Sequence, residues 1–182
     1  MSDKVEFSEG DFVVYPTHGV GKVTGIEDQD ISGTIIKVIA IHFENDRMTL
    51  RVPTFKAEKS GLRKLSSRKM IDSALVILKG RARVKRTMWS RRAQEYETKI
   101  NSGDPIAIAE VVRDLHRKAE QPEQSYSERQ IYQAALGRLT RELAAIEQID
   151  EETAGEKLMH VLNPALAAAA AAEASAAEVP QA

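Results

Sequence analysis

The spacing of apolar residues changes once along this chain, from every second residue to about every 3.6 residues, and the change falls near Ser66-Ser67. Before that point, β-branched segments broken by glycine alternate apolar and polar residues, which is typical of short strands. After it, apolar residues recur at the spacing of a helix face. The sequence therefore predicts an α+β protein in which a small antiparallel β-barrel of the Tudor or SH3 type is followed by an all-helical domain.

Four strand-like segments lie between Phe12 and Pro53, and a fifth is expected near Leu62 to Leu65. Ser32-Gly33 and the run from Glu44 to Asp46 separate neighbouring segments. Glycine and asparagine tolerate the positive φ that tight hairpins require, so both places predict turns. Barrels of this size more often bind partners than catalyse reactions.

Beyond Ser67, four apolar stripes predict four helices that share a core. Asp104-Pro105 supplies an N-cap followed by proline at the first helical position, and Ser127 to Gln130 has the spacing of a capping box. A last helix is expected over residues 151–162, with Asp150 as its cap. The stripes are Met70, Ala74, Leu75 and Leu78; Trp89, Ala93, Tyr96 and Ile100; Ile108, Val111, Val112 and Leu115; and Tyr132, Leu136, Leu139, Leu143 and Ile146.

These patterns divide the chain into three parts. Residues 1–66 are expected to form the barrel, residues 67–163 the helical domain, and residues 164–182 an alanine-rich tail. The tail has helix propensity but no large apolar face to dock, so we expect it to be disordered. Its alanine run is too short to span a membrane.

Several chemical classes find no support in the sequence. The chain has no cysteine, which excludes disulfides, thiolate metal sites and thiol nucleophiles. The four histidines are far apart and lack metal-ligand spacing, and no carboxylates stand in a catalytic pattern. The acidic N-terminus lacks the apolar core of a signal peptide. We expect a cytoplasmic protein that is not an enzyme, has no metal or cofactor and does not bind membranes.

Charge is unevenly distributed in a chain whose formal net charge is −1. By segment, the formal charge is −4 over residues 1–55, +10 over residues 56–118 and −7 over residues 119–182. The middle third is a cationic block, which indicates a polyanionic partner for one part of the surface. A solvated helix surface would carry the same charges, so composition leaves both interpretations open.

The densest part of this block is the cationic segment, Lys79–Arg92 (KGRARVKRTMWSRR), with seven basic residues, no acidic residue and the only tryptophan. Thr87 is expected to cap the helix that follows. Arg91 and Arg92 then lie with Trp89 in its first turn, where free N–H groups and the helix dipole favour a phosphate. Arginine pairs with phosphate oxygens, and an indole can stack on bases or wedge between them. Trp89 also begins an apolar stripe, and a lone tryptophan in a helical domain is more often a core residue, so the pattern alone favours a core role.

Five segments are specific in combination, because they occur in a fixed order. They are VVYPTHGVGKVTGIE (Val13–Glu27), LRVP (Leu50–Pro53), GLRKL (Gly61–Leu65), WSRR (Trp89–Arg92) and AEVVRDLHRK (Ala109–Lys118). In order and spacing they resemble landmarks of the CarD/CdnL family of transcription regulators. The resemblance covers about residues 7 to 162.

The resemblance implies a Tudor-like barrel similar to the polymerase-interacting domain of transcription-repair coupling factor, with the RNA polymerase β subunit as its partner. It implies that Arg51 and Pro53 lie at the contact with that subunit. Gln29 stands where some relatives place an arginine, so this contact is expected to carry less charge.

For the helical domain, the resemblance implies contact with promoter DNA at the upstream edge of the −10 element. Trp89 would wedge into the minor groove there and stabilise the open promoter complex, with Arg91 and Arg92 on the DNA-facing stretch. Gln94 stands where other relatives have a basic residue. Lys85 and Arg86, which precede the tryptophan, are expected to compensate for that lost charge.

Two other classes of function stay compatible with the sequence. One is a free-standing nucleic-acid-binding protein without sequence preference or polymerase contact. The other is a pure protein adaptor whose cationic block is only a solvated surface. For all three functions, the chain is expected to act as a monomer.

Overall fold

The computed structural model describes residues 6–118, 120–165 and 168–169. Five strands form one antiparallel sheet in the order β4-β3-β2-β1-β5, followed by helices, which confirms the predicted α+β class. The strands are β1 (Phe12–Tyr15), β2 (Gly19–Ile31), β3 (Thr34–Phe43), β4 (Met48–Pro53) and β5 (Arg63–Lys64). A one-turn helix that the sequence did not predict, α1 (Thr54–Ala57), follows β4.

One of the two predicted hairpin turns is confirmed, and the other is built differently. Between β2 and β3, Ser32 and Gly33 adopt φ of 56° and 83°, as a two-residue hairpin requires. Between β3 and β4, the turn lies where predicted, but Arg47 takes the positive φ of 50° instead of Asn45. The loop is longer than two residues, so the left-handed position falls at its end.

The sheet is open, so the predicted Tudor-like or SH3-like barrel is not closed. The edge strands β4 and β5 have no ladder between them in the described part of the chain. The reason is that β5 is only two residues long and pairs with β1 alone. Gly21 of β2 allows two side chains of β3 to approach closely, because a Cβ atom there would lie 2.7 Å from side-chain atoms of Ile41 and Phe43. The sheet core consists of Phe7, Val13, Val23, Ile39, Ile41, Phe43, Val52, Ala57 and Leu62.

The remaining helices pack around a second core. They are α2 (Arg68–Leu78), α3 (Trp89–Asn101), α4 (Pro105–Leu115), α5 (Tyr126–Glu147) and α6 (Glu151–Leu162). The predicted Asp104-Pro105 start of α4 and the predicted bounds of α6 are confirmed. The capping box of α5 was predicted two residues too late: Ser125 and Glu128 form it. Ser125 can do so because its own backbone is extended, whereas Ser127 is already helical.

Three of the four predicted stripes face the helical core throughout, and in the first stripe Met70 alone does not. Met70 is 43% exposed, whereas its neighbour Ile71 is fully buried beside Ala74 and Leu78. These three positions are spaced at three and four residues, which places them on one helix face. Met70 lies outside that face.

No helix in the described part of the chain is both long and apolar enough to span a membrane. The predicted disordered tail, residues 164–182, lies mostly outside the described residues. Its four described residues are helical and exposed.

Candidate functional site

The three residues expected at a protein contact lie on one face of the sheet. Along β3, Ile36, Val38 and Ala40 share the face opposite the core, and they pair with Gln29 on β2, Pro53 on β4 and Arg51 on β4 respectively. Because alternate residues of a strand share a face, Gln29, Arg51 and Pro53 are brought together although up to 24 residues separate them. We call this surface the outer sheet face.

Arg51 is the charged centre of the outer sheet face. Its Nε atom donates to Oε2 of Glu27 at 3.1 Å, and each side chain is about half exposed. A pair so exposed contributes little to the stability of the fold, since water screens it. Arg51 can therefore exchange Glu27 for another acceptor at little cost.

Strand β4 also presents a free edge. It lies at one end of the sheet, and among the described residues β3 is its one ladder neighbour. Thr49 and Arg51 are exposed along it, and Pro53 ends the strand, where its missing N–H interrupts further pairing. An extended segment of another protein could add to this edge while touching the outer sheet face.

In the helical region, Trp89 is neither fully buried nor fully exposed. Trp89 is the first residue of α3 and is half-buried against the helical core, with its ring centroid 6.4 Å from that of Tyr96. The guanidinium of Arg92 lies over the other part of the indole, 5.4 Å from the ring centroid. One part of the side chain thus packs, and the rest stays accessible beside a cation.

The start of α3 lacks the cap that the sequence suggested. Met88, not Thr87, is the N-cap, and no side chain accepts from the first-turn N–H groups there. Met88 has no side-chain acceptor, and the backbone of Thr87 lies outside the helix. Met88 is also 79% exposed next to Trp89, a feature that the sequence analysis missed because one methionine in a basic run gives no periodic signal. The helix start offers free N–H groups, two apolar side chains and no acidic residue in its first turn.

The predicted basic residues surround this helix start. Arg86 and Arg91 are exposed, and Lys85 donates to Oε2 of Glu95 at 2.8 Å. That hydrogen bond is the main reason why the pKa of Glu95 is lowered. Lys85 is consequently less available to an outside anion than Arg86 or Arg91, which no described residue engages in an ion pair.

Residues 81–88 form an exposed segment outside helix and strand. It is attached at Arg83, whose backbone N–H donates to Oδ1 of Asp114 at 2.9 Å. Asp114 is buried and also accepts from Nε of Arg113 at 2.8 Å. The backbone of the segment is held at this point. Apart from Lys85, which reaches Glu95, its basic side chains extend into solvent.

Two arginines join the sheet region to the helical region; we call this contact the seam. Arg63 donates to both carboxylate oxygens of the buried Glu142, at 2.8 and 3.0 Å, and to the carbonyl of Gly103 at 2.6 Å. Arg138 of α5 donates to the carbonyls of Pro16 and Thr17 in the turn after β1. Since charge-assisted bonds have narrow geometry, the seam holds the two regions in one relative orientation.

Catalytic and metal-binding features are not prominent. Within the described residues, no three His, Asp or Glu side chains come together in a group able to hold a metal ion. The site features are instead an open sheet edge and a basic helix start, which suit binding to macromolecules.

Two protein-family models together match nearly all of the described chain. The family model described as CarD-like/TRCF RID domain matches residues 7–66, and the one described as CarD, C-terminal domain matches residues 65–159. The two matches meet between β5 and α2.

The chain is also similar to one curated protein over most of its length and to one solved structure over part of it. A Bacillus subtilis (strain 168) protein provisionally named as transcription factor YdeB is 29% identical over 146 residues, covering 80% of this chain and 95% of the relative. The solution NMR structure of the N-terminal domain of Myxococcus xanthus CarD is 32% identical and covers 32% of this chain and 79% of that chain, with a TM-score of 0.29. With both halves of the chain matched in order, the protein belongs to the CarD family of transcription regulators.

Proposed function

We propose that this protein binds the β subunit of RNA polymerase through residues 1–66 and promoter DNA through residues 67–163, at the upstream edge of the −10 element. It would thereby stabilise the open promoter complex. The observation that carries the proposal is the exposed cationic segment, which ends on the half-buried Trp89 at an uncapped helix start.

The polymerase contact would use the free edge of β4 and the outer sheet face. Addition of a partner strand to β4 supplies main-chain hydrogen bonds, and Arg51, Pro53 and Gln29 then contact its alternate side chains. The half-exposed Arg51–Glu27 pair supports this assignment, because both charges can be re-paired without unfolding the sheet.

The DNA contact would use Arg91, Arg92 and Arg86 on phosphates and the accessible part of Trp89 against a base step. Phosphate contacts position a protein without reading sequence, and a wedge favours steps that deform easily. Sequence preference of this protein alone is therefore expected to be low, and polymerase would bring it to promoters.

Such a protein has no catalytic step and acts through differential affinity. If its contacts are stronger in the open complex than in the closed one, they shift that equilibrium by the difference. A difference of about 1.4 kcal/mol changes the population ratio about tenfold.

The lifetime of open complexes on one promoter, measured with and without the full chain, tests this proposal. A longer lifetime with the protein, together with co-purification of the β subunit, is the expected result. Binding to DNA without β-subunit contact would favour the free-standing nucleic-acid-binding protein, and β-subunit contact without any salt-sensitive DNA contact would favour the adaptor.

A further inference from the structure

A second basic surface lies at the other end of the cationic segment from Trp89. Here the end of α2, the end of α4 and the end of α6 enclose a cleft of about 440 Å³. We call it the basic cleft. Its basic residues are Lys79, Arg81, Arg113, Arg117 and Lys118.

The basic cleft has an excess of positive charge. None of the described residues that line it is acidic. Arg113 is engaged by Asp114 at 2.8 Å, and Arg117 lies 3.4 Å from Glu128, so these two charges are partly compensated. Lys79, Arg81 and Lys118 are exposed, and no described carboxylate forms an ion pair with them. Like charges held together repel, and a polyanion relieves that repulsion.

The basic cleft is continuous with the DNA-contacting surface proposed above. Lys79 and Arg81 open the same cationic segment that ends at Trp89 and Arg92. Eight residue steps separate Arg81 from Trp89, which span at most about 29 Å. That distance is shorter than one turn of duplex DNA, about 34 Å, so one duplex can reach both places.

The chemistry of the lining favours a phosphodiester backbone over a small anionic ligand. His116 is the one aromatic ring among the described lining residues, and its Nδ1 lies 2.9 Å from the hydroxyl of Tyr132. The lining is therefore dominated by cations and offers little surface for stacking on a nucleobase. The three uncompensated cations sit on long flexible side chains, which suit repeated phosphates along a strand.

We propose that the basic cleft binds the backbone of the same DNA duplex, within one helical turn of the Trp89 contact, through Lys79, Arg81 and Lys118. This inference rests on the proposed function and extends its DNA contact to a second set of phosphates. The cleft adds affinity and salt dependence and leaves sequence preference unchanged.

The test uses the full chain and a fluorescent DNA duplex, with anisotropy measured over a series of salt concentrations. The triple variant Lys79→Gln, Arg81→Gln, Lys118→Gln should bind more weakly. Its plot of log affinity against log salt should be shallower by two to three, since each phosphate contact contributes a slope of about 0.9. Lys69→Gln removes an exposed cation of α2 that lies outside the cleft, and it should leave affinity and slope nearly unchanged. Circular dichroism checks that all variants fold.

A second variant, Arg91→Gln with Arg92→Gln, separates this inference from the proposed function. An unchanged slope for the triple variant, with a reduced slope for the double variant, would overturn the cleft assignment and leave the proposed function standing. Reduced slopes for both variants support both proposals. Unchanged slopes for both would overturn both. A loss by the triple variant that is confined to a single-stranded RNA probe would assign the cleft to RNA and overturn the duplex assignment.

Discussion

The sheet region and the helical region present their candidate contact residues in opposite ways. On the outer sheet face, Gln29, Arg51 and Pro53 are held by strand pairing, so their spacing is set before any partner arrives. In the helical region, residues 81–88 lie outside any helix or strand and are attached at Arg83. A protein partner requires a shaped surface, whereas regularly spaced phosphates tolerate mobile cations. The difference suits one half to a protein and the other to nucleic acid.

The largest expected effect comes from breaking the seam between the two regions. Glu142→Ala removes the carboxylate that accepts from Arg63 and from the backbone N–H of Ser66. It should lower the free energy of unfolding by about 3 kcal/mol. This value is at the lower end for a broken buried ion pair, because Arg63 can still reach solvent. Chemical denaturation measures the loss. Glu142→Gln keeps an acceptor oxygen, so its free energy of unfolding should fall less. Glu110→Ala breaks the more exposed pair with Lys99 and should lower the free energy of unfolding by under about 1 kcal/mol. Equal losses for the three variants would contradict a structural role for the seam.

Trp89→Ala should be the next largest change. Truncation of a fully buried tryptophan to alanine lowers the free energy of unfolding by about 3 to 5 kcal/mol. Because Trp89 is only half-buried, its truncation should lower that free energy by about 2 kcal/mol. The variant should remain folded and bind the β subunit, yet lose most of the gain in open-complex lifetime. Trp89→Phe, which keeps an aromatic ring on Tyr96, controls for packing. Function lost only in proportion to the unfolded fraction would mean that Trp89 is purely a core residue.

Arg51→Glu tests the preformed half of the comparison. Reversal of this charge should weaken β-subunit binding about tenfold, with a stability change of about 0.5 kcal/mol, because the Arg51–Glu27 pair is exposed. Affinity for the β subunit by biolayer interferometry reports the first effect. Lys37→Glu is the control, since it reverses an exposed positive charge on the same sheet. Lys37 lies opposite Asp28 in the β2–β3 ladder and, by strand alternation, points to the other face. A similar loss from Lys37→Glu would argue against the outer sheet face.

The smallest effect concerns His116 and is confined to the helical region. Burial lowers the pKa of His116, and the nearby Lys118 lowers it further. The unfolded chain therefore binds the proton more readily, so the stability that neutral His116 contributes is present above about pH 6.5 and is lost as the pH falls below it. Denaturation across this range should show a steeper decline for the native chain than for His116→Gln. Identical pH profiles would show that folding does not lower the pKa of His116.

Local chemistry made much of this fold predictable. Ser32-Gly33, Asp104-Pro105 and Asp150 each determine a turn or a cap through their own backbone preferences, and the structure has all three. Where two nearby residues could each fill a position, the sequence pattern indicated the wrong one. It predicted Ser127 as the helix cap in place of Ser125, and Met70 as a core residue in place of Ile71.

Contacts between residues far apart in the sequence could not be predicted from local patterns. The seam and the open edge of the sheet depend on how two regions pack, and no local pattern announces such packing. The candidate site was similarly divided: the cationic segment is visible in the sequence, whereas the half-buried position of Trp89 and the outlines of the basic cleft emerge only in three dimensions.

The seam also has a consequence for the timing of synthesis. Arg63 lies 79 residues before its partner Glu142, so the sheet region leaves the ribosome well before α5 exists. At about 5 to 20 residues per second, the interval is about 4 to 16 seconds. The nascent sheet must hold its core during that time with the Arg63 guanidinium still hydrated. When α5 has been synthesised, its Glu142 completes the ion pair with Arg63 and fixes the orientation of the sheet region, which was made earlier.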